Sequence, residues 1–388
     1  MRFKKSLIAM TAFGAVLAMT SGAAMAAGDP DKDAPLAPLG DPPIPADNPQ
    51  TPAKIELGKK LFFDPRLGGD ASTGCIQCHE MEQGWAFSDA LSRGYPATVH
   101  WRNSQSVINS AYLGKLFWAG SASSLEKQAK SAATGAVAGN GESDVMEARL
   151  AFIPEYRKAF TEVFGSEWPK IGDAWRAIAA FERTLIHKDT PVDKYLAGDK
   201  KALSKSQVNG MKLFNGKANC IECHNGAQAT DEKYYNLGVP PAERWLEDGL
   251  AQITFRYELY AKGVTQEMYR KMKDDPGLYF RTKQKRDMGK FRTPPLRYTK
   301  YTAPYMHNGA FWDFEEVVQF YNAGGGDNDF TDGTMAKTKT KILKPLGLSD
   351  EEVTDLVAFL EAFSGPELKM KKPKLPPYAP LPDVAAAN

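Results

Sequence analysis

Apolar side chains recur at helical spacing in several parts of the chain, and strand-like alternation is rare. Between Asp173 and Ile186, one helical face carries the large apolar residues Trp175, Ile178, Phe181 and Leu185. A capping-box sequence at Ser349 opens a second stripe, made of Val353, Leu356, Val357, Leu360 and Phe363. Stretches rich in Gly and Pro predict long loops near Ala71, Tyr95, Ala138 and Gly324. The pattern therefore predicts a mainly α-helical protein with long loops.

One apolar pattern occurs twice. The sequence from Gly58 to Phe63 is GKKLFF, and the sequence from Gly210 to Asn215 is GMKLFN. Each predicts a helix with Leu and Phe on one face, followed by a Gly-bearing turn and a cysteine. An amphipathic helix explains the Leu and Phe alone, but it does not explain why the same string precedes both cysteine motifs. The recurrence favours a duplicated domain.

All four cysteines of the chain lie in two CxxCH pentapeptides, which run from Cys75 to His79 and from Cys220 to His224. Two thiols at this spacing can bond the vinyl groups of one haem, and the adjacent histidine can reach its iron. A disulfide, a thioredoxin-like CxxC or a zinc site would not account for two copies that each end in His. The sequence therefore predicts two covalent c-type haems, attached through Cys75, Cys78, Cys220 and Cys223, with His79 and His224 as proximal iron ligands.

The N-terminus has the layout of an export signal. A basic start up to Lys5 precedes an apolar stretch from about Leu7 to Met19, and Ala24-Met25-Ala26 resembles a cleavage site. These features predict a signal peptide over residues 1–26 and a periplasmic mature protein. The apolar stretch is too short for a membrane anchor and no later one is longer, so no membrane span is expected.

Length and charge limit the remaining possibilities. The balance of 49 basic and 47 acidic side chains argues against nucleic acid as a partner. About 360 mature residues suit two domains with extensions. We expect an extended segment over 27–54, an N-terminal haem domain over 55–200, a C-terminal haem domain over 201–368 and a Pro/Lys-rich tail over 369–388.

Several blocks between the two motifs and after them resemble one family. These blocks are Arg102–Asn103, Phe117–Gly120, Leu125–Ala129, Ala180–Leu185, Phe291–Arg297 and Thr302–Gly309. Their order and content are similar to the bacterial di-haem cytochrome c peroxidase and MauG superfamily, over about Ile55 to Gly365. The resemblance implies two cytochrome c-like domains that face one another. It also implies that the haem on His79 meets hydrogen peroxide and that the haem on His224 stores and relays an electron.

The resemblance also indicates a second ligand for the His224 haem. True peroxidases have a methionine there, and MauG-type proteins have a tyrosine; the corresponding residue here is Tyr321. A phenolate oxygen favours ferric and higher oxidation states, whereas a thioether favours ferrous iron. Tyr321 therefore points to the MauG-like branch. A tyrosine that only packs in a helix is the alternative, and Met306 and Met335 are the competing ligands.

Further roles follow from the resemblance alone. Trp118 matches a tryptophan that carries electrons or holes between the two haems. Gln128 and His307 match positions in or near the peroxide site, although a lone histidine is often structural. The side chain of Asn103 and the carbonyls of Thr302 and Pro304 match a calcium site between the haems, and such oxygen ligands suit Ca²⁺.

The sequence departs from the family at one catalytic position. Family members place a glutamate there, as acid and base in O–O cleavage, whereas this chain has Ala138. Glu142 is a possible substitute if the loop is shifted. His100 lies near the position of a histidine that blocks the haem in some peroxidases, but we expect a solvated loop residue. The stretch from Arg244 to Asp274 is expected to be an insertion that forms either a docking surface or a covering helix.

Three functions are compatible with these features. The first is a MauG-like enzyme that uses peroxide-generated high-valent haem to oxidise tryptophan or tyrosine residues of a partner protein. The second is a peroxidase that reduces hydrogen peroxide with electrons from a small cytochrome c or cupredoxin. The third is a non-catalytic di-haem electron carrier, which the absence of the glutamate makes more credible. Tyr321 favours the first over the second.

Overall fold

The structure is a computed structural model that describes residues 35–95, 98–327 and 335–379. The predicted signal peptide and the last nine residues of the tail lie outside the described residues. The described α-helices are α1 (Pro52–Phe63), α2 (Leu125–Thr134), α3 (Ser143–Ala151), α4 (Pro154–Phe164), α5 (Ile171–Glu182), α6 (Pro191–Leu196), α7 (Lys205–Asn215), α8 (Glu243–Glu247), α9 (Gly249–Ala261), α10 (Gln266–Lys271), α11 (Tyr279–Thr282), α12 (Phe314–Asn322) and α13 (Asp350–Glu361).

Strands are short, as the sequence pattern predicts. Two antiparallel pairs, each of two-residue strands, are found in the described residues: β1 (Arg93–Gly94) with β2 (Thr98–Val99), and β3 (Tyr234–Tyr235) with β4 (Phe291–Arg292). The prediction of a mainly helical protein with long loops is confirmed. The predicted extended segment has no helix from residue 35 until α1 begins at Pro52, slightly earlier than expected.

The first half of the fold is organised around the pair α1 and α5, which pack against each other along their length. Gly58 lies at their crossing, where an added Cβ would fall 1.8 Å from the carbonyl oxygen of Ala177. The helices approach closely because glycine leaves no side chain between them. The predicted apolar face of α5 is buried, although the helix ends at Glu182 rather than Ile186.

The second half repeats this arrangement with α7 and α13. An added Cβ at Gly210 would lie 1.9 Å from the carbonyl oxygen of Asp355 on α13. The predicted capping box is present, since Ser349 caps α13 and the side chain of Glu352 returns to the Ser349 amide. Each half therefore has a packed helix pair with a glycine at the crossing, in agreement with the repeated sequence pattern.

The stretch from Arg244 to Asp274 folds into α8, α9 and α10. Phe255 and Leu259 of α9 are buried in an apolar cluster that includes Trp101 and Met335. Tyr257 and Tyr260 lie on the opposite, exposed face. Helix α9 packs against β2. This stretch thus covers the loop that leads into His100.

The segment before α1 is fastened to the second half by a buried ion pair. Arg297 and Asp193 form two bonds, Nη2 to Oδ1 at 2.6 Å and Nη1 to Oδ2 at 2.8 Å. The same guanidinium donates to the carbonyl of Ala37 at 3.1 Å, and the amide of Leu39 donates to Asp193 at 3.2 Å. Within the described ranges, no helix is long and apolar enough to cross a membrane.

Candidate functional site

The two CxxCH segments adopt the same local fold. Short 3-10 helices span Cys75–Gln77 and Cys220–Glu222, and the amide of each following histidine donates to the first cysteine carbonyl, at 3.0 Å and 2.9 Å respectively. All four cysteines have free thiols. Burial raises the pKa of the Cys78 thiol to about 11 and that of the Cys220 thiol to about 12. The thiols are therefore protonated near neutral pH, unlike the thiolates of zinc sites or redox-active CxxC motifs.

The two histidine rings are held in one tautomer. Nδ1 of His79 lies 3.3 Å from the carbonyl oxygen of Trp85, and Nδ1 of His224 lies 3.0 Å from that of Ala229. A carbonyl oxygen can only accept, so each Nδ1 carries the proton and each Nε2 keeps its lone pair. Burial lowers the pKa of both rings, that of His79 to about 4. Both rings are therefore neutral imidazoles with a free Nε2 lone pair, which is the form of histidine that binds haem iron.

The carbonyls that orient the rings come from strained backbone. Trp85 has a φ of 60° and Ala229 has a φ of 51°, and neither residue is glycine. A non-glycine residue in this region costs roughly 1–3 kcal/mol and persists only where its surroundings hold it. The strain turns each carbonyl towards the histidine of its own motif. The sequence gives no signal for this feature, because Trp and Ala are not typical turn residues.

Both motifs line one continuous cavity of about 930 Å³. Ligand cavities commonly span roughly 300–1,000 Å³, so this one is large. Its wall is mostly apolar, with Phe62, Ile178, Leu296 and Leu356 among the lining residues. The free thiols, the neutral histidines and the apolar wall all fit covalently attached haem. The same cavity is lined by every other predicted site residue: Asn103, Trp118, Gln128, Thr302, Pro304, His307 and Tyr321.

Tyr321 lies in the last turn of α12 and is directed towards the second motif. Burial raises the pKa of its hydroxyl above the ordinary value, and the Cys223 and Cys220 sulfurs add to the effect. No described residue gives this hydroxyl a hydrogen bond, so its oxygen is available to a ligand in the cavity. The competitor Met335 also lines the cavity, but it is buried in the apolar cluster with Trp101.

Trp118 and Asn103 are joined by a hydrogen bond from the indole Nε1 to the Asn103 carbonyl, at 2.8 Å. The Asn103 amide donates to the His307 carbonyl at 2.8 Å, and its side-chain Nδ2 donates to the Asp89 carbonyl at 3.0 Å. The side-chain nitrogen of Asn103 is thus occupied, and its Oδ1 is left for another partner. The predicted electron-relay residue is therefore hydrogen-bonded to the main chain of the predicted calcium ligand.

Among the residues that the structure describes, no group of three or more His, Cys, Asp or Glu side chains could hold a metal ion. A calcium site at Asn103, Thr302 and Pro304 would thus depend on amide and carbonyl oxygens, which Ca²⁺ accepts. Water would have to complete its coordination shell.

One face of the His307 ring stacks on another ring, and its Nε2 atom is inaccessible to solvent. It stacks on Phe291 with ring centroids 3.6 Å apart, and its edge approaches Trp118 at 6.4 Å. Its Nε2 is buried without a hydrogen-bond partner in the described part of the chain. Burial lowers the pKa of the ring to about 3, so His307 is neutral.

Glu142 does not take the place of the glutamate absent at position 138. Its carboxylate caps α3, where it accepts from the amides of Asp144 at 2.9 Å and Val145 at 3.3 Å. Glu142 is exposed and does not line the cavity, whereas Ala138 and Gln128 do. The cavity wall at this loop therefore has no carboxylate of its own.

Sequence reasoning did not find the ion pair between Arg102 and Asp275. The guanidinium meets the carboxylate through Nε to Oδ2 at 2.5 Å and Nη2 to Oδ1 at 2.9 Å, and both residues line the cavity. The charge and hydrogen bonds of Arg102 outweigh burial and hold the pKa of Asp275 below its ordinary value. His100 was expected to be solvated, but it instead stacks on Trp101 and lines the cavity.

A family model described as di-haem cytochrome c peroxidase matches residues 52–201. The cytochrome-c peroxidase IdrP1 of Pseudomonas sp. strain SCT is 54% identical over 91% of this chain and 92% of its own length. The methylamine utilization protein MauG of Methylophilus methylotrophus is 31% identical over 86% of this chain and 89% of its own. Among solved structures, a MauG-like protein associated with microbial copper homeostasis aligns at a TM-score of 0.70 and 28% identity, over 84% of this chain and 93% of that one. The family model covers the first half of the chain, whereas the similarities to the two relatives and to the solved structure extend across both halves.

Proposed function

The chain belongs to the di-haem cytochrome c peroxidase and MauG family, and from this we propose that it is a periplasmic peroxidase that reduces hydrogen peroxide with electrons from a small redox protein. Each peroxide takes up two electrons and two protons and yields two water molecules. The observation that carries the proposal is the pair of neutral, carbonyl-oriented histidines whose CxxCH motifs line one cavity. The name of the relative at 54% identity, a cytochrome-c peroxidase, agrees with it.

The chain's own residues would divide the work. Bound haem would supply an iron that reacts with peroxide at His79 and an electron store at His224. The Trp85 and Ala229 carbonyls keep the proton of each histidine on Nδ1 and leave the Nε2 lone pair free to bind iron. Tyr321 would supply a second protein ligand to the haem held by His224, and no second protein ligand is proposed for the haem held by His79, which would leave that haem accessible to substrate. This asymmetry separates the substrate site from the electron-transfer site.

Trp118 would relay electrons between the two sites. Its indole ring lines the shared cavity, and its hydrogen bond to the Asn103 carbonyl fixes the orientation of the ring. Calcium held by Asn103, Thr302 and Pro304 would restrict the motion of the main chain at Asn103, to which Trp118 is hydrogen-bonded. Gln128 and His307 line the cavity wall, where Gln128 has an amide that can bind peroxide or water.

Tyr321 supports a second candidate function, which is MauG-like oxidation of a partner protein. A phenolate ligand disfavours ferrous iron, and a conventional electron-storing haem must be reduced. Two relatives named MauG, at 31% and 33% identity, also support this candidate. On this view, peroxide would accept its two electrons from tryptophan or tyrosine residues of the partner.

The two functions differ in where the electrons come from. The purified di-haem protein is mixed with hydrogen peroxide and a reduced small cytochrome c or cupredoxin, and donor oxidation is followed by absorbance. We expect two donor molecules oxidised per peroxide, and none in His79→Ala. Peroxide loss without donor oxidation, accompanied by oxidised Trp or Tyr in a co-purified partner, would favour the MauG-like function. If peroxide left the spectrum of the diferric protein unchanged, the chain would be an electron carrier.

A further inference from the structure

His100 lies at the cavity end that belongs to the first motif. It follows β2, and the paired strand β1 contains Arg93, whose carbonyl lies 3.9 Å from the Cys78 sulfur. The hairpin also contacts the loop that carries Ala138, through a hydrogen bond from the Tyr95 amide to the Val137 carbonyl at 3.2 Å. His100 itself lines the cavity. It therefore borders the part of the cavity where the expected glutamate is missing.

The His100 ring is held in the opposite tautomer to the rings of His79 and His224. Its Nδ1 accepts a hydrogen bond from the Arg102 amide at 3.0 Å. An accepting nitrogen carries no proton, so in the neutral ring the proton lies on Nε2. Burial, with a further contribution from the Arg102 charge, lowers the pKa of His100 to about 3, and the ring is therefore neutral near pH 7. In this tautomer Nε2 has no lone pair for iron and is a hydrogen-bond donor.

Residues of α9 and of the segment that follows Asp274 hold this arrangement in place. The His100 ring stacks on Trp101 with centroids 3.9 Å apart and planes 17° apart. Trp101 in turn packs against Phe255 of α9 and Phe280 of α11, at 6.4 Å and 6.2 Å. The Arg102 side chain is fixed by Asp275, so the amide that bonds His100 lies between two anchored side chains. To move His100 to an iron ligand position would break the stack and the amide bond together.

His307 is less suited to meet a substrate. Its Nε2 is buried with no hydrogen-bond partner among the residues that the structure describes, and one face of its ring is covered by Phe291. His100 Nε2 also has no acceptor among the described residues, but this atom is not sealed in the same way. Of the two cavity histidines outside the CxxCH motifs, His100 is the one whose proton is assigned to Nε2 by a hydrogen bond, because its Nδ1 accepts from the Arg102 amide.

We propose that His100 is the hydrogen-bond donor that binds hydrogen peroxide in this cavity, in the place of the carboxyl group that Ala138 lacks. The proposal rests on the proposed peroxide chemistry and deepens it by assigning the binding group. It also means that His100 is not an iron ligand that must be released before substrate enters. No bond to His100 is made or broken, because the ring donates one hydrogen bond from Nε2 and keeps its proton.

The test compares His100→Phe with His100→Gln in the di-haem protein. Phenylalanine keeps a ring to stack on Trp101 but removes the donor, whereas glutamine keeps an N–H donor of similar reach. We expect His100→Phe to slow the second-order reaction of the diferric protein with peroxide roughly 100-fold, the scale for removal of one positioned donor. His100→Gln should recover much of the rate. Equal haem content and melting temperature establish that both variants fold.

Two readouts do not depend on turnover. The resting protein should give the same high-spin paramagnetic resonance signal in wild type and in His100→Phe. Cyanide, a small anion that also accepts a hydrogen bond, should bind about tenfold more weakly to His100→Phe. Wild-type rates and cyanide affinities in His100→Phe would overturn the proposal. A low-spin resting signal that becomes high-spin in His100→Phe would also overturn it, because His100 would then be a ligand. A wild-type protein that does not react with peroxide would refute the proposed function. The cyanide affinities of wild type and His100→Phe would still show whether His100 donates a hydrogen bond to a ligand in the cavity.

Discussion

The ring of Phe181 meets the ring of Phe62 edge-on, with centroids 5.5 Å apart and planes at 61°. The pair Phe214 and Phe359 repeats this contact in the second half, at 5.3 Å and 68°. In both halves each phenylalanine lies one helical turn beyond a crossing residue, which is glycine on α1 and α7. The edge-to-face geometry suits the charge distribution of aromatic rings. The two halves therefore share a packing unit as well as a haem motif.

The glycine at each helix crossing should be irreplaceable. Gly58→Ala and Gly210→Ala would place a Cβ within 2 Å of a backbone carbonyl oxygen, at 1.8 Å and 1.9 Å, so the helices must separate. We expect each change to lower the free energy of unfolding by about 2–3 kcal/mol, as overpacking does. Gly172→Ala is the matched control, because nothing lies within 4 Å of its added Cβ. In denaturant titrations the control should be neutral or slightly stabilising; a similar loss in all three would contradict this account.

Features that depend on local sequence could be predicted. The faces of α5 and α13, the capping box at Ser349 and the two motif turns all follow from residues within one or two helical turns. The repeated glycine strings favour a duplicated domain, which stays a prediction, and the family resemblance is confirmed by the relatives. The resemblance also supplied residues that the structure gathers around one cavity, although their roles remain predictions.

Other features could not be predicted, because they join distant segments. Arg102 and Asp275 are 173 positions apart, and neither residue type in isolation indicates a partner. The pattern of α9 is ambiguous, since aromatic residues occupy both its buried and its exposed faces. His100 was expected to be solvated, because the covering helices that bury its loop carry no recognisable motif. Its tautomer depends on a single backbone amide that only the fold places there.

The Arg297–Asp193 pair should be essential for stability. Asp193→Ala leaves a guanidinium buried without its carboxylate, and such a loss costs roughly 3–5 kcal/mol. Both side chains are nearly inaccessible, at 1% and 6% exposure. The comparison is Glu267→Ala, which breaks an exposed pair with Lys271 and should cost well under 1 kcal/mol. Chemical denaturation of both variants measures the difference; equal costs would show that burial of the pair has little effect.

Glu182 should make the protein less stable at high pH. Burial raises the pKa of this carboxyl to about 8, and its Oε2 has no hydrogen-bond partner in the described chain. The folded state thus binds the proton more tightly than the unfolded state, in which the pKa is near 4.5. The contribution of this carboxyl to the free energy of unfolding is fully present below about pH 4.5 and is lost as the pH rises through about 8.

Glu182→Gln cannot ionise and should remove this dependence. We expect its melting temperature to exceed that of wild type by several degrees at pH 9, with a smaller difference at pH 5. Glu155→Gln, on the exposed face of α4, serves as the control and should leave the wild-type pH profile unchanged. If the melting temperatures of Glu182→Gln and wild type changed in parallel from pH 5 to pH 9, Glu182 would not be a buried carboxyl that is neutral in the folded state.

Covalent haem should be present at both motifs. The intact mass of the exported protein should exceed that of the processed polypeptide by two haem groups, and Cys220→Ala together with Cys223→Ala should remove one of them. The matched change at Cys75 and Cys78 should remove the other. A wild-type mass with a single haem would end the di-haem assignment.

The Tyr321 hydroxyl should determine the spectrum of the His224 haem. Tyr321→Phe would remove the oxygen ligand and alter the low-spin paramagnetic resonance signal. Tyr321→Met should raise the reduction potential, since a thioether stabilises ferrous iron. Phe320→Leu changes the neighbouring ring, 5.5 Å away, and should leave the signal in place. A near-infrared band of His/Met ligation that persists in Tyr321→Phe would instead assign the ligand to Met306 or Met335.

The strained carbonyls at Trp85 and Ala229 show what the two halves must have in common to hold their histidines. Each orients its histidine with a main-chain oxygen, so this hydrogen bond does not constrain the identity of the side chain at that position. One position can therefore carry an indole and the other a methyl group, six residues beyond His79 and five beyond His224, without loss of ring orientation. What the two halves have in common here is a backbone conformation, and a comparison of their side chains alone would not detect it.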